Sequence, residues 1–189
     1  MPKIVDHDQR RMKIAVKALL LFAEKGYANL SMRNLAASIG VTTGMLYHYF
    51  PSKQSLLSGA FRLVRTKDIE LVQQLIFLER DKSNRSTQQQ RAVSLLCVFV
   101  AENSERLSGL LRIGLDVRQV EPDNTTVAET IRVYREALRD IFEVDETTAQ
   151  GGIWVIFGCL TEVSLGGKID SDALNYALSA LLIPAEQLV

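Results

Sequence analysis

Histidine, cysteine and proline are scarce in this chain, at two, two and four residues among 189. The two histidines and two cysteines show no metal-ligand spacing, and Cys97 and Cys159 fall inside apolar helical runs, where thiols most often act as small hydrophobes. No glycine-rich phosphate cradle follows a strand pattern, and no nucleophile elbow is present. The reading is therefore of a non-enzyme with no metal and no cofactor. The longest apolar-rich stretch, Gly151 to Leu160, is too short to span a bilayer. The start, Met-Pro-Lys-Ile-Val-Asp-His-Asp, lacks the apolar segment of a signal peptide. A cytoplasmic, reducing setting with no membrane partner is expected.

What is present is an uneven distribution of charge. Lys and Arg match Asp and Glu overall at 22 each, yet residues 1–67 hold eleven basic and three acidic side chains. The remaining residues hold eleven basic and nineteen acidic ones, so a surplus of eight positive charges faces an equal deficit. A basic end suits a polyanion, because phosphate neutralisation releases counterions and supplies sequence-independent affinity.

Within that basic end lies Leu30-Ser-Met-Arg-Asn-Leu-Ala-Ala-Ser-Ile-Gly-Val-Thr-Thr-Gly-Met-Leu-Tyr-His-Tyr-Phe-Pro-Ser-Lys53. Ser31 can cap a helix, since its hydroxyl accepts an orphan backbone N–H. Leu35, Ala36 and Ile39 recur at helical spacing, and Gly40 suits a left-handed stop. Thr42 or Thr43 can cap the next helix, which Pro51 limits. Two short helices around a glycine turn form a helix-turn-helix, whose second helix enters a DNA major groove. Its first residues, Thr42, Thr43, Gly44 and Met45, would face base edges, with His48 one turn on. Gly44 has no side chain and would permit close approach rather than read a base. Ser31 and Arg33, at the start of the preceding helix, suit a phosphate. Arg10, Arg11, Lys13 and Lys17 add charge or form a solvated face.

The rest of the chain reads as helices, with no strand alternation, hairpin dipeptide or repeat. The fold class is all-α: a three-helix head over residues 1–51 and a six-helix bundle over 52–189. The first helix runs from about Asp8 to Lys25, with Ile14, Ala18, Leu21 and Phe22 on one face. A long helix follows Ser52 to about Glu79, and Asp81 to Thr87 reads as a polar loop. Ala92 to Ala101 is apolar nearly all round, so a helix at the centre of a bundle is expected. Helices then cover Ser104 to Gln119, the stripe Val127 to Phe142, Glu146 to Leu165 and Ser171 to Ile183.

The segments Ala18-Leu-Leu-Leu-Phe-Ala-Glu-Lys-Gly-Tyr27, Ser31-Met-Arg-Asn-Leu-Ala36 and Gly40-Val-Thr-Thr-Gly-Met-Leu-Tyr-His-Tyr-Phe-Pro-Ser-Lys53 resemble the tetracycline-repressor (TetR) family. The resemblance covers roughly residues 10–57, under a third of the chain. It implies a homodimeric repressor on double-stranded DNA, whose C-terminal bundle dimerises and binds a small-molecule effector. It also implies phosphate contacts from Tyr47, Tyr49 and Lys53, which their donors fit. The last two helices would form the dimer surface, with Gly151, Gly152 and Gly158 allowing close approach. An effector site in the bundle draws on Phe99, Arg112, Asp116, Tyr134, Trp154, Phe157 and Glu162. Arg112 and Asp116, one turn apart, could equally pair with each other. The alternative is a constitutive DNA-binding or protein-interaction module whose bundle senses no ligand.

Overall fold

The computed structural model describes residues 7–78 and 85–183, and these contain nine α-helices and no strand. They are α1 (His7–Lys25), α2 (Met32–Ile39), α3 (Thr43–Tyr49), α4 (Lys53–Leu78), α5 (Arg85–Glu102), α6 (Ser104–Val120), α7 (Thr126–Phe142), α8 (Glu146–Ser164) and α9 (Ser171–Leu182). Two compact units result. The first comprises the described residues up to Thr66 together with Arg112–Thr130, and the second the described residues of Lys67–Leu111 and from Ile131 onward.

In the first unit, local chemistry sets each boundary. The Ser31 hydroxyl accepts from the Asn34 N–H at 3.1 Å and starts α2. Gly40, at φ 84°, ends it in the left-handed region, with its own N–H and that of Val41 both on the Ala36 carbonyl. The Lys17 ammonium donates to the Ile39 carbonyl at 3.2 Å, neutralising that helix end. The Thr42 hydroxyl accepts from the Met45 N–H at 3.1 Å and starts α3. The core here is Ile14, Ala18, Leu19, Phe22, Leu35, Ile39, Leu46, Phe50, Leu56, Leu57 and Phe61. Leu19 is in this core and Leu21 is half-buried, so the buried face is turned by a fraction of a turn toward Ala15 and Leu19 from the one read off the pattern.

Gly59 of α4 lies against the Phe50 ring; a Cβ there would stand 2.8 Å from Phe50 Cε1. That contact sets how closely α4 packs on the end of α3. Arg11 stacks over the same ring at 5.2 Å, so one of the N-terminal basic side chains is engaged within the fold.

In the second unit α5 is central, with Ala92, Val93, Leu96, Cys97, Phe99 and Val100 buried and Val98 turned outward. Burial pushes the Cys97 thiol up to about 11, with Cys159 nearby, consistent with an inert hydrophobe. Arg85 to Thr87, expected in a loop, are helical; residues 79–84 lie outside the described residues. Arg and Gln are good helix formers, so polarity alone did not signal a break. Asp145 and Asp170 cap α8 and α9 by accepting backbone N–H bonds. Gly152 is buried against Leu138, Leu178 and Leu182, and Gly151 faces Leu181, so these glycines seat α9 within the protomer. Gly158 is exposed.

Candidate nucleic-acid interface

Helix α3 buries one side and presents the other. Leu46 is fully buried, and Phe50 just beyond the helix is too. This is the spacing by which a seven-residue helix anchors itself on α1, α2 and α4. Thr42, Thr43, Gly44, Tyr47 and His48 are exposed, and Met45 is half-buried at the edge. Nothing lies within 4 Å of a Cβ placed on Gly44, so this face is sterically open. Ser31 and Arg33 at the start of α2 are exposed as well. The first unit thus carries Ser31, Arg33, Thr42, Thr43, Gly44, Met45, Tyr47 and His48 on α2, α3 and their N-caps.

Several of these side chains have partners already. The Thr42 hydroxyl oxygen is the α3 cap, which leaves its own O–H free to donate. Tyr49 is half-buried, its hydroxyl 3.0 Å from His7 Nδ1, and His48 stands edge-on to the Tyr49 ring at 5.2 Å. His7 was not singled out by the sequence, because the contact spans 42 residues. The Lys53 ammonium donates to the Tyr27 carbonyl at 3.0 Å and sits 4.1 Å from the centre of the Tyr27 ring. Only one of its three donors is committed there.

The residues expected around an effector fall in both units. Arg112, exposed, and Asp116, half-buried, belong to the first. Asp116 Oδ2 accepts from the Ala28 N–H at 3.2 Å, a structural tie of the α1–α2 turn. The other five belong to the second unit. Phe99 is buried, and Tyr134 and Phe157 pack against the same core. Trp154 is 68% exposed, and Glu162 is exposed further along α8. A polar cluster missed by the sequence reading lies in this unit: the buried Asp68 carboxylate accepts from Arg106 and from the Tyr134 hydroxyl.

A helix-turn-helix head with an open, polar second helix defines a class of nucleic-acid-binding architecture. Residues 14–60 match the bacterial regulatory proteins of the tetR family. Over 67 residues the chain is 40% identical to the HTH-type transcriptional regulator PksA of Bacillus subtilis, covering 35% of this chain and 33% of that protein. Over 139 residues it is 30% identical to the HTH-type transcriptional regulator BetI of Agrobacterium fabrum, covering 74% of this chain and 56% of that one. The crystal structure of the multidrug binding protein EbrR complexed with malachite green has a TM-score of 0.70 at 21% identity, covering 94% of this chain and 99% of that chain. The last is a likeness of fold. The matched segment, residues 14–60, supports a TetR-family regulator. It spans between a third and a little over half the length of these two curated relatives.

Proposed function

We propose that the protein is a DNA-binding transcriptional regulator, a repressor that grips a palindromic operator as a homodimer and is released by a small molecule. The observation that carries this reading is the open outward face of α3, from Thr43 to His48, within the segment matched by the tetR family. Thr43 and His48 have the donors and acceptors to read bases, while Ser31, Arg33, Tyr47, Tyr49 and Lys53 suit phosphates. A single head has few base readers. A two-fold pair reading half-sites one helical turn, about 34–36 Å, or a multiple apart would supply the missing discrimination.

The surface offered for pairing is on the last two helices. Trp154 and Leu165 at α8 and Tyr176 and Leu181 on α9 are large apolar side chains left 68%, 84%, 80% and 39% exposed. Trp154 and Glu162 fit such an interface better than an interior effector site. The effector would then sit among Phe99, Tyr134 and Phe157, within the second unit's core. Release follows from linkage: a molecule that prefers the bundle arrangement with misplaced heads weakens DNA binding by its differential affinity. Helix α4, unbroken from Lys53 to Leu78, supplies a continuous element to carry the shift.

Selection of bound duplexes from a random DNA pool tests the reading. Enrichment of a two-fold symmetric sequence is expected. Recovery of an unselected pool at low ionic strength would refute it.

A further inference from the structure

Lys53 is held by a single residue, twice over. Its ammonium donates to the Tyr27 carbonyl at 3.0 Å and rests 4.1 Å above the same residue's ring. Tyr27 is fully buried, tilted against Phe22 with ring centres 5.1 Å apart, and its hydroxyl donates to Glu121 Oε1 at 2.6 Å. Glu121 follows the last turn of α6. Its second oxygen accepts from Asn124 Nδ2 at 2.8 Å, and Asn124 Oδ1 accepts the Thr126 N–H at 3.0 Å where α7 begins. A chain of short contacts therefore runs from the α6–α7 corner through one phenol to the basic side chain at the start of α4. All of these residues belong to the first unit.

We propose that Glu121 is a positioning residue for DNA binding, setting the place of the Lys53 ammonium through Tyr27. The inference rests on the DNA-binding reading above. Two effects converge. The hydrogen bond fixes the ring that forms the floor under Lys53. A phenol donating to a carboxylate also has a more electron-rich face, which strengthens its attraction for a cation. Burial and the neighbouring carboxylate both hold the Tyr27 phenol protonated, so the donor is permanent. Lys53 thus keeps one fixed position, with its remaining donors free for a phosphate oxygen. Asp116, bonded to the adjacent Ala28 N–H, ties the same turn to α6 and keeps Tyr27 in register with Glu121.

The test uses the full chain and a duplex that it retains from the random pool, with affinity followed across ionic strength. Lys53→Ala should lower the slope of log K against log salt by about 0.9, the signature of one lost phosphate contact. Glu121→Ala and Tyr27→Phe should each weaken binding by roughly tenfold on matched and mismatched sequences alike, with a similar fall in slope. Adding Lys53→Ala to either should change little more, because the contact is already loosened. Glu121→Gln, which keeps an acceptor, should recover most of the affinity. A purely structural role predicts the opposite: a lower melting temperature, an unchanged slope and losses that add to Lys53→Ala. Unchanged slopes in both Glu121→Ala and Tyr27→Phe would overturn the inference while leaving the DNA reading intact. No effect of Lys53→Ala would likewise overturn the inference alone, whereas no retained duplex would overturn both.

Discussion

Arg106 grips Asp68 with both terminal nitrogens, at 3.1 and 2.9 Å, and the Tyr134 hydroxyl donates to the same carboxylate at 2.7 Å. One buried carboxylate thereby fastens α4, α6 and α7 together within the second unit. A fork-shaped guanidinium matches a carboxylate in plane, and the phenol satisfies a further lone pair. Removing one partner leaves a buried charge unpaired, which costs far more than the intact pair contributes. Asp68→Asn or Arg106→Met should lower the unfolding free energy by about 2–4 kcal/mol. The lower end is favoured because the Arg106 side chain is 37% exposed. Tyr134→Phe should cost about 1 kcal/mol. Urea unfolding measures all three, and an unshifted midpoint for Asp68→Asn would contradict this picture.

Gly59 and Gly44 should respond oppositely to a methyl group. At Gly59 the new Cβ meets Phe50 Cε1 at 2.8 Å, so Gly59→Ala forces the ring or α4 to move and should cost about 1–3 kcal/mol. At Gly44 the space is open, and Gly44→Ala should stabilise α3 by a few tenths to about 1 kcal/mol. The same methyl would stand between α3 and the groove, so its DNA affinity should fall. Thermal melts paired with binding isotherms separate these effects; a Gly44→Ala variant with undiminished affinity would count against α3 facing DNA.

Thr42 and Thr43 are neighbours with different work. Thr42→Ala removes the α3 cap and should cost about 1 kcal/mol of stability. Thr43→Ala should leave stability nearly unchanged but relax preference at one base position by about 1–3 kcal/mol. Unfolding curves and selection from randomised sites report the two separately. Identical behaviour of the two variants would remove the basis for treating Thr43 as a base reader.

Much of this was legible in the sequence, and the reasons are local. Ser31, Gly40 and Thr42 announce helix ends because a cap is chemistry between residues three or four apart. The buried run of α5 and the stripe of α7 likewise show in helical periodicity. The ties from His7 to Tyr49, Tyr27 to Glu121 and Asp68 to Tyr134 span 42, 94 and 66 residues, and no local pattern encodes them. Asp68 in particular looks like any solvated acid on a long helix until Arg106 and Tyr134 are brought against it. Trp154 shows the converse. An aromatic in an apolar run suggests an interior, whereas the fold turns it outward.

That outward aromatic leads to a prediction about assembly. Trp154→Glu and Leu181→Glu should each drive the protein toward monomer and weaken binding to a two-fold symmetric duplex, while a single half-site is bound as before. Sedimentation velocity across a concentration series measures the first effect. A variant that remains dimeric would move the interface away from α8 and α9.

The central claim is that α3 lies in a major groove, twice. Dimethyl sulfate probing of the retained duplex tests it most directly, because guanine N7 lies in that groove. The account predicts protection of N7 positions in two symmetric patches about 34–36 Å apart or a multiple of that distance, each lost at low protein concentration together. A bound duplex whose major-groove N7 atoms all stay reactive would contradict it.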